Sequence, residues 1–247
     1  MTKPQIVLIP GAWHTSEAFG TIITKLEGHG YTIHTRQMPA VGNTTPPKDL
    51  TEDIEAIREL VTKAIGNGED VLAVPHSWAG IPASSALVGY GKKQREEKGD
   101  KGGVTRLAFL CAFVVPEGVS LFNACQDQIP PWYHVEGDHS IVDDGSVFYN
   151  DLPAEEQKHW ISKLQSHSFA TTTAGATGAA WKDIPTSYLL TEDDQAIPAF
   201  AQELMTNGVK DMGGDIQVER IKSGHSPFLS KPDAVVDYIR RAAGETI

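Results

Sequence analysis

The sequence predicts an α/β domain built on a mostly parallel sheet, with helices on both faces and one inserted segment. Short apolar runs alternate with helical patterns through the first half, and the alternation returns near the C-terminus. The strand-like runs are almost wholly apolar, as expected when both faces of a parallel sheet are covered. The length of 247 residues suits one domain with a sizeable insertion.

The individual elements are predicted from β-branched runs, from helical spacing of apolar residues, and from residues that start or stop helices. The predicted strands span residues 5–9, 32–37, 70–74, 104–112, 186–190 and 216–221. The predicted helices span residues 16–27, 51 to the stop at Asn67-Gly68, 79–88, 198–205 and 232–243. The clearest is the second, with Thr51 as its N-cap and with Glu52 and Asp53 in the first turn, where the helix dipole favours negative charge.

Regular alternation stops in the middle of the chain. Residues 116–182 contain a Pro-Pro pair, acidic turns and scattered aromatic residues, which predicts a helical or irregular cap. The core domain is then formed by residues 1–115 and 183–247. The aromatic residues of the cap either wall a pocket or pack the cap's own small core. They are Trp132, Tyr133, Phe148, Trp160 and Trp181.

Composition excludes several classes of protein. Hydrophobic residues make up 40% and charged residues 21%, which is typical of a globular chain rather than a disordered one. The net charge of −11 disfavours nucleic acid and anionic membranes as partners. Cys111 and Cys125 lack metal-ligand spacing and indicate reduced thiols. We therefore expect a cytoplasmic protein with a small-molecule partner and no metal, and a homodimer stays open.

Ser77 lies where a strand passes into a helix of small residues. In that setting a tight turn lifts the serine oxygen clear of the sheet. The usual motif, G-x-S-x-G, has Gly two positions before and after the serine, but here these positions are Pro75 and Ala79. Gly80 leaves room for the helix to approach the sheet. On this pattern alone Ser77 is either a nucleophile or an ordinary helix-capping serine.

The partners that a nucleophilic serine needs follow Ser77 along the chain. A serine hydroxyl needs a base, and the base needs an orienting carboxylate. Asp194 and His225 each come just after a predicted strand, at the sheet edge where Ser77 emerges. Asp193 and Glu117 remain alternatives to Asp194. The sequence thus predicts a catalytic Ser77–His225–Asp194 triad.

An oxyanion hole completes such a site. One N–H comes from the residue after the nucleophile, here Trp78, and the other from the loop after an early strand, here at Ala12. His76 should point away from the nucleophile and serve as structural support. The residues expected to bind substrate are Trp13, His14, Trp132 and Tyr133.

Several segments together resemble a known group of enzymes. They are IVLIPGAWH at 6–14, VPHSWAG at 74–80, LAFLCAF at 107–113, YLLTEDDQAIP at 188–198 and IKSGH at 221–225. They are similar to the α/β-hydrolase superfamily, and within it to the branch of salicylate and jasmonate methylesterases, hydroxynitrile lyases and related microbial esterases. The resemblance covers the core and is weakest in the cap. The sequence departs from the pattern of the branch at Pro10, Pro75 and Ala79.

The resemblance implies an α/β-hydrolase fold and a serine hydrolase that cleaves a small carboxylic ester or lactone without a cofactor. It also favours Asp194 as the acid, because the family's acid usually stands four residues before a proline, here Pro198. The alternatives are a hydroxynitrile-lyase-like or other carbon–carbon-cleaving lyase, and a non-catalytic ligand-binding protein.

Two positions favour the hydrolase over the lyase. Lyases of the branch typically carry a lysine directly after the catalytic histidine, and here that position is Ser226. They also carry a hydroxyl residue in the oxyanion loop, where this chain has Ala12. In a lyase, a lysine from elsewhere, such as Lys182 at the end of the cap, would have to replace the missing charge.

Overall fold

The computed structural model describes residues 3–247 and contains two sheets. The main sheet has six strands in the order β2-β1-β3-β4-β8-β9, all parallel, and the second has three antiparallel strands, β5-β6-β7. The strands are β1 (Gln5–Ile9), β2 (Ile33–Thr35), β3 (Asp70–Pro75), β4 (Gly103–Leu110), β5 (Tyr133–Glu136), β6 (His139–Val142), β7 (His167–Ser168), β8 (Thr186–Thr191) and β9 (Ile216–Ile221). The predicted parallel sheet is confirmed.

Helices cover the main sheet and form part of the insertion. They are α1 (Gly20–Gly28), α2 (Thr51–Ile65), α3 (Gly80–Ala86), α4 (Lys92–Glu97), α5 (Leu121–Ala124), α6 (Ala154–Ile161), α7 (Phe169–Thr173), α8 (Ala199–Asp211), α9 (Pro227–Ser230) and α10 (Pro232–Ala242). No helix within residues 3–247 is long and apolar enough to cross a membrane.

Strand β1 shows how the sheet buries both of its faces. Ile6 and Leu8 belong to an apolar cluster that includes buried residues of α1 and α10, whereas Val7 and Ile9 belong to a second cluster with the apolar stripe of α2. Alternate side chains of a strand point to opposite faces. A strand with both faces covered must therefore be apolar throughout, which explains the unbroken apolar runs.

The start of α2 differs from the prediction. Thr51 is the first residue of the helix, and the N-cap position belongs to Leu50. The side chain that serves this end is that of Asp49, whose Oδ1 accepts the Thr51 N–H at 2.7 Å. An Asp side chain commonly accepts the N–H two residues later in a turn, and this local bond displaces the predicted threonine cap.

The insertion is not simply helical or irregular, as predicted, because it contains the β5-β6-β7 sheet. A two-residue turn joins β5 to β6, and its first residue, Gly137, has a φ of 60°. Gly-Asp between two short β-rich runs is a hairpin signal that sequence analysis missed. The domain boundaries at residues 116 and 182 remain predictions.

Strained residues follow three neighbouring strands of the main sheet. Trp13, Ser77 and Cys111 come after β1, β3 and β4, and their φ angles are 61°, 54° and 34°. Side-chain-bearing residues rarely adopt this left-handed region, and they tend to do so at functional sites. The strain therefore marks the carboxyl edge of the sheet.

Gly80 permits a close contact beside Ser77. A Cβ on Gly80 would overlap the carbonyl oxygen of Phe113. The Phe113 N–H in turn donates to the Ser77 carbonyl at 3.0 Å. The first turn of α3 thus lies directly on the segment that follows β4, as the sequence indicated for Gly80.

We expect Gly80→Ala to destabilise the fold by about 1–3 kcal/mol, because overpacking a filled contact forces the backbone apart. Urea unfolding measures this free energy. Gly208→Ala is the matched control, since Gly208 lies inside α8 with no atom within 4 Å of an added Cβ. It should stabilise the protein by up to about 1 kcal/mol through helix propensity. Equal effects of both substitutions would contradict the steric role of Gly80.

Candidate active site

Ser77 stands at a sharp turn between β3 and α3. Pro75 ends β3, and the ladder to β1 continues through the His76 N–H, which donates to the Ile9 carbonyl at 3.0 Å. A proline is tolerated here because the strand terminates at its position. Ser77 itself is 8% exposed and begins a short 3₁₀ turn that leads into α3.

A line of hydrogen bonds joins the three residues that the sequence singled out. The distance from Ser77 Oγ to His225 Nε2 is 2.9 Å, and that from His225 Nδ1 to Asp194 Oδ2 is 2.8 Å. An ionised carboxylate only accepts hydrogen bonds, so Nδ1 carries the proton and Nε2 is free to accept from Ser77. The side chains of His225 and Asp194 are 1% and 0% exposed.

Asp194 is held in a fixed orientation by five donors, His225 included. The other four are Thr191 Oγ1, Gln202 Nε2 and the backbone N–H groups of Ala196 and Ile197, at 2.8–3.3 Å. Asp193 and Glu117, the alternatives to Asp194, are both exposed. Sequence analysis did not single out Thr191 or Gln202, although both lie within eight residues of the acid.

The backbone of His225 is held from the core side. Its carbonyl accepts hydrogen bonds from His76 Nε2 at 3.0 Å and from Cys111 Sγ at 3.3 Å. His76 therefore supports the site from behind, as predicted. Within residues 3–247, one group of three possible metal ligands lies together, and it consists of these same residues: His76, Cys111 and His225. His76 Nε2, Cys111 Sγ and both ring nitrogens of His225 already serve the hydrogen bonds described above, whereas His76 Nδ1 has no partner among residues 3–247.

The loop after β1 passes directly against Ser77. A Cβ on Gly11 would lie 2.8 Å from the Cβ of Ser77, so glycine is required for this approach. Ala12 follows at once and is 2% exposed, while Trp78 is completely buried. The two residues predicted to supply oxyanion N–H groups thus lie in segments adjacent to Ser77.

His14 supports this loop. Its Nδ1 lies 2.7 Å from the Ala12 carbonyl and its Nε2 lies 3.0 Å from the Tyr149 hydroxyl. A carbonyl only accepts, so Nδ1–H is the donor and Nε2 accepts from Tyr149. Both ring nitrogens are therefore occupied by protein groups. His14 thus supports the loop after β1, and the expectation that it also binds substrate stays a prediction.

Aromatic side chains form a layer over the carboxyl edge. Trp13 packs against Trp132, Tyr133 and Phe148, with ring centroids 5.2–5.8 Å apart. Trp13 Nε1 also donates to Ser140 in β6 at 3.2 Å, which ties the loop after β1 to the insertion. Phe148 reaches the His225 ring at 5.6 Å. Trp13, Trp132 and Tyr133 thus lie together, and the expectation that they bind substrate stays a prediction.

His167 also belongs to the site region, although nothing in its sequence context indicated this. It is completely buried in β7, with its ring centroid 4.5 Å from that of Trp78. Thr171 Oγ1 donates to the Ser168 carbonyl at 2.8 Å, so at 3.0 Å it accepts the His167 Nε2–H. In the part of the chain that the structure describes, the Nδ1 atom of His167 has no hydrogen-bond partner.

Burial keeps these supporting histidines neutral at pH 7. Desolvation lowers the pKa of His14 to about 4 and the pKa of His167 to about 3. It also lowers the pKa of His76 well below its ordinary value, and the nearby imidazole of His225 adds to the effect. The three rings therefore supply hydrogen bonds without positive charge.

Comparison with known proteins identifies the same family that the sequence motifs resemble. A model of the alpha/beta hydrolase family matches residues 6–238. The alpha/beta hydrolase nvfD of Aspergillus novofumigatus is 37% identical over 253 aligned residues, covering 100% of this chain and 99% of that protein.

Solved structures show the same fold. A pyrethroid hydrolase from Sphingobium faniae superposes with a TM-score of 0.76 at 21% identity, covering 98% of both chains. The methylesterase MES16 from Arabidopsis superposes with a TM-score of 0.70 at 18% identity, covering 96% of this chain and 98% of that one. The predicted superfamily is confirmed: the chain belongs to the alpha/beta hydrolase family.

Proposed function

We propose that this protein hydrolyses a small, neutral carboxylic ester or lactone, with Ser77 as nucleophile, His225 as base and Asp194 as the orienting acid. The observation that carries this proposal is the buried line of hydrogen bonds of 2.9 Å and 2.8 Å that starts at a serine with a φ of 54°. Relatives with the names hydrolase and methylesterase support the same reaction class.

In the first half of the reaction Ser77 Oγ attacks the acyl carbon. His225 Nε2 takes the hydroxyl proton as the new C–O bond forms, and Asp194 stabilises the resulting imidazolium. The carbonyl oxygen becomes an oxyanion between the N–H groups of Ala12 and Trp78. The tetrahedral intermediate then collapses. The alcohol leaves with the proton from His225, and Ser77 remains acylated.

The second half repeats these proton transfers with water. His225 removes a proton from a water molecule, the water oxygen attacks the acyl carbon, and a second oxyanion forms in the same hole. Collapse breaks the bond to Ser77 Oγ, and His225 returns the proton to the serine. The products are a carboxylic acid and an alcohol, or a hydroxy acid from a lactone.

The surroundings of Ser77 favour an uncharged substrate. The nearby walls are the aromatic rings of Trp13, Trp132 and Phe148, and the buried rings of His14 and His167 are neutral. An anionic substrate would lose its hydration without gaining a cation from these groups, which is costly. A neutral ester loses much less hydration free energy when it enters this aromatic environment.

Three observations favour hydrolysis over cyanohydrin cleavage. Ser226, directly after His225, is completely buried and has no charge to stabilise a departing cyanide. Ala12 offers a backbone N–H but no hydroxyl for a cyanohydrin oxygen. Lys182, the substitute cation, is exposed, with its ammonium over the Trp181 ring at 5.7 Å from the centroid.

Ser77→Ala should abolish ester turnover and leave the fold intact. Removing a nucleophile of this kind lowers kcat by on the order of 10⁶. The measurement is a panel of acyl esters and lactones with both proteins, together with mass spectrometry after treatment with a fluorophosphonate. The wild type should carry the label on the Ser77 peptide. Ligand binding without turnover or labelling in the wild type would instead support a non-catalytic protein.

Asp194→Asn should lower kcat by on the order of 10⁴, because an amide that donates to Nδ1 stabilises the wrong imidazole tautomer. Asp193→Asn is the matched control. Asp193 is exposed, so we expect a change within about threefold, as for ordinary surface substitutions. Steady-state kinetics on the best ester decides the matter, and comparable losses in both variants would refute the assignment.

Ester hydrolysis should exceed mandelonitrile cleavage on the same preparation. The reason is the missing cation beside His225, since stabilisation of a developing anion is usually a large part of catalysis. Aryl ester hydrolysis and cyanide release are assayed in parallel, with Ser77→Ala as the blank for both. Efficient cyanide release without esterase activity would mean that the protein is a lyase.

A further inference from the structure

Four consecutive residues of the insertion each contact one of the loops that carry the site. We call residues 148–151 the docking segment. Phe148 packs on the ring of His225, and the Tyr149 hydroxyl donates to His14. These first two residues therefore contact the loop after β9 and the loop after β1.

The last two residues of the docking segment make backbone contacts. Asn150 Nδ2 donates to the carbonyl of Asp193, beside the acid, at 3.0 Å. Asp151 Oδ2 accepts the N–H of Gly224, directly before His225, at 2.8 Å. One short stretch of the insertion thus holds the loops after β1, β8 and β9 relative to one another.

The contact between Asp151 and Gly224 is closely fitted. A Cβ on Gly224 would overlap Asn150 Oδ1 and would lie 2.8 Å from Asp151 Oδ1. Glycine is therefore needed at position 224 because the docking segment lies against its backbone. The Oδ1 atom of Asp151 is buried and has no hydrogen-bond partner among residues 3–247, so within this part of the chain the carboxylate accepts one hydrogen bond, from Gly224.

His225 is consequently held on both sides of its own residue. On the core side, His76 and Cys111 donate to its carbonyl. On the side of the insertion, Asp151 fixes the preceding peptide N–H. A hydrogen bond to a charged acceptor is roughly twice as strong as a neutral one, so the carboxylate is well suited to this task.

We propose that Asp151 is a positioning residue for the reaction: by accepting the Gly224 N–H it fixes the backbone that carries His225 at hydrogen-bond distance from Ser77. This inference rests on the proposed function, because it assigns His225 the role of base. Asp151 touches no reacting atom, and its effect is transmitted through the Gly224 peptide. The insertion then serves catalysis as well as covering the site.

The test compares Asp151→Ala with Asp151→Asn in the full-length protein. Asp151→Ala removes the acceptor, and we expect kcat to fall about 10- to 100-fold, the range expected when a catalytic group is slightly misplaced. KM should change less than about twofold, since Asp151 does not contact substrate. Asp151→Asn keeps an acceptor oxygen and should retain kcat within about threefold of the wild type, since the hydrogen bond to Gly224 is kept.

The rate of fluorophosphonate labelling at Ser77 provides a readout that a purely structural role would not change. Labelling also requires His225 as base, so its rate constant in Asp151→Ala should fall in proportion to kcat. Partial unfolding would instead lower the labelled fraction and leave the rate constant of the folded molecules unchanged. Asp143→Ala is the control: Asp143 lies in the insertion with its side chain 51% exposed, and its carboxylate pairs with His134.

Asp151→Leu serves as the second variant if Asp151→Ala does not fold, because leucine fills a similar space without an acceptor. Wild-type kcat and labelling in either variant, a loss confined to KM, or equal losses in Asp151→Asn and Asp151→Ala would overturn the proposal. A wild type that neither hydrolyses esters nor accepts the label would show that the proposed function has failed, and the positioning role would fail with it.

Discussion

The structure of the site depends on one steric constraint, the fit of the turn after β3 against the segment after β4. Ser77 adopts a backbone conformation that costs of order 1–3 kcal/mol for a residue with a side chain. The turn stays in place because the Phe113 N–H holds the Ser77 carbonyl and Gly80 lets α3 approach Phe113. Without that approach the serine could relax, and its hydroxyl would no longer face His225.

Electrostatics imposes a second constraint. Asp194 has a fully buried side chain, and an unpaired charge in such a place would be strongly destabilising. Five donors compensate for its desolvation, and the histidines behind and beside the site remain uncharged. Under the proposed mechanism, the Asp194 carboxylate thus faces the His225 ring where the imidazolium would form, and the other buried histidine rings carry no charge that would compete with it.

Sequence reasoning reached the sheet and the three central side chains because both follow local rules. Apolar runs mark the strands that are buried on both faces, and Ser77 follows such a run at β3. Asp194 and His225 come a few residues after β8 and β9, of which β9 is partly polar and only partly buried. Chain order and sheet topology then suffice to place them at one edge. The exact start of α2 was missed, because the Asp49 side chain competes with the predicted threonine cap.

The contacts between the insertion and the core could not be predicted from local sequence patterns. Asp151 meets Gly224 across 73 positions of sequence, and no periodicity or spacing relates the two. His167 is likewise brought to Trp78 by the pairing of β7 with β6, a strand of two residues that carries almost no pattern. Such contacts depend on how the insertion packs on the core as a whole.

The closed aromatic layer has a consequence for ligand affinity. Ser77 is 8% exposed, and His225 is completely buried with the Phe148 ring 5.6 Å from its own. Under the proposed function, an ester would therefore reach Ser77 in those molecules whose aromatic layer has shifted. The apparent dissociation constant is then the intrinsic constant divided by the fraction of open molecules. If one molecule in about 100 is open, apparent affinity falls about 100-fold with no change in any contact to the bound ligand. Substitutions that loosen the layer would thus tighten binding of bulky esters while admitting more water to the buried charges.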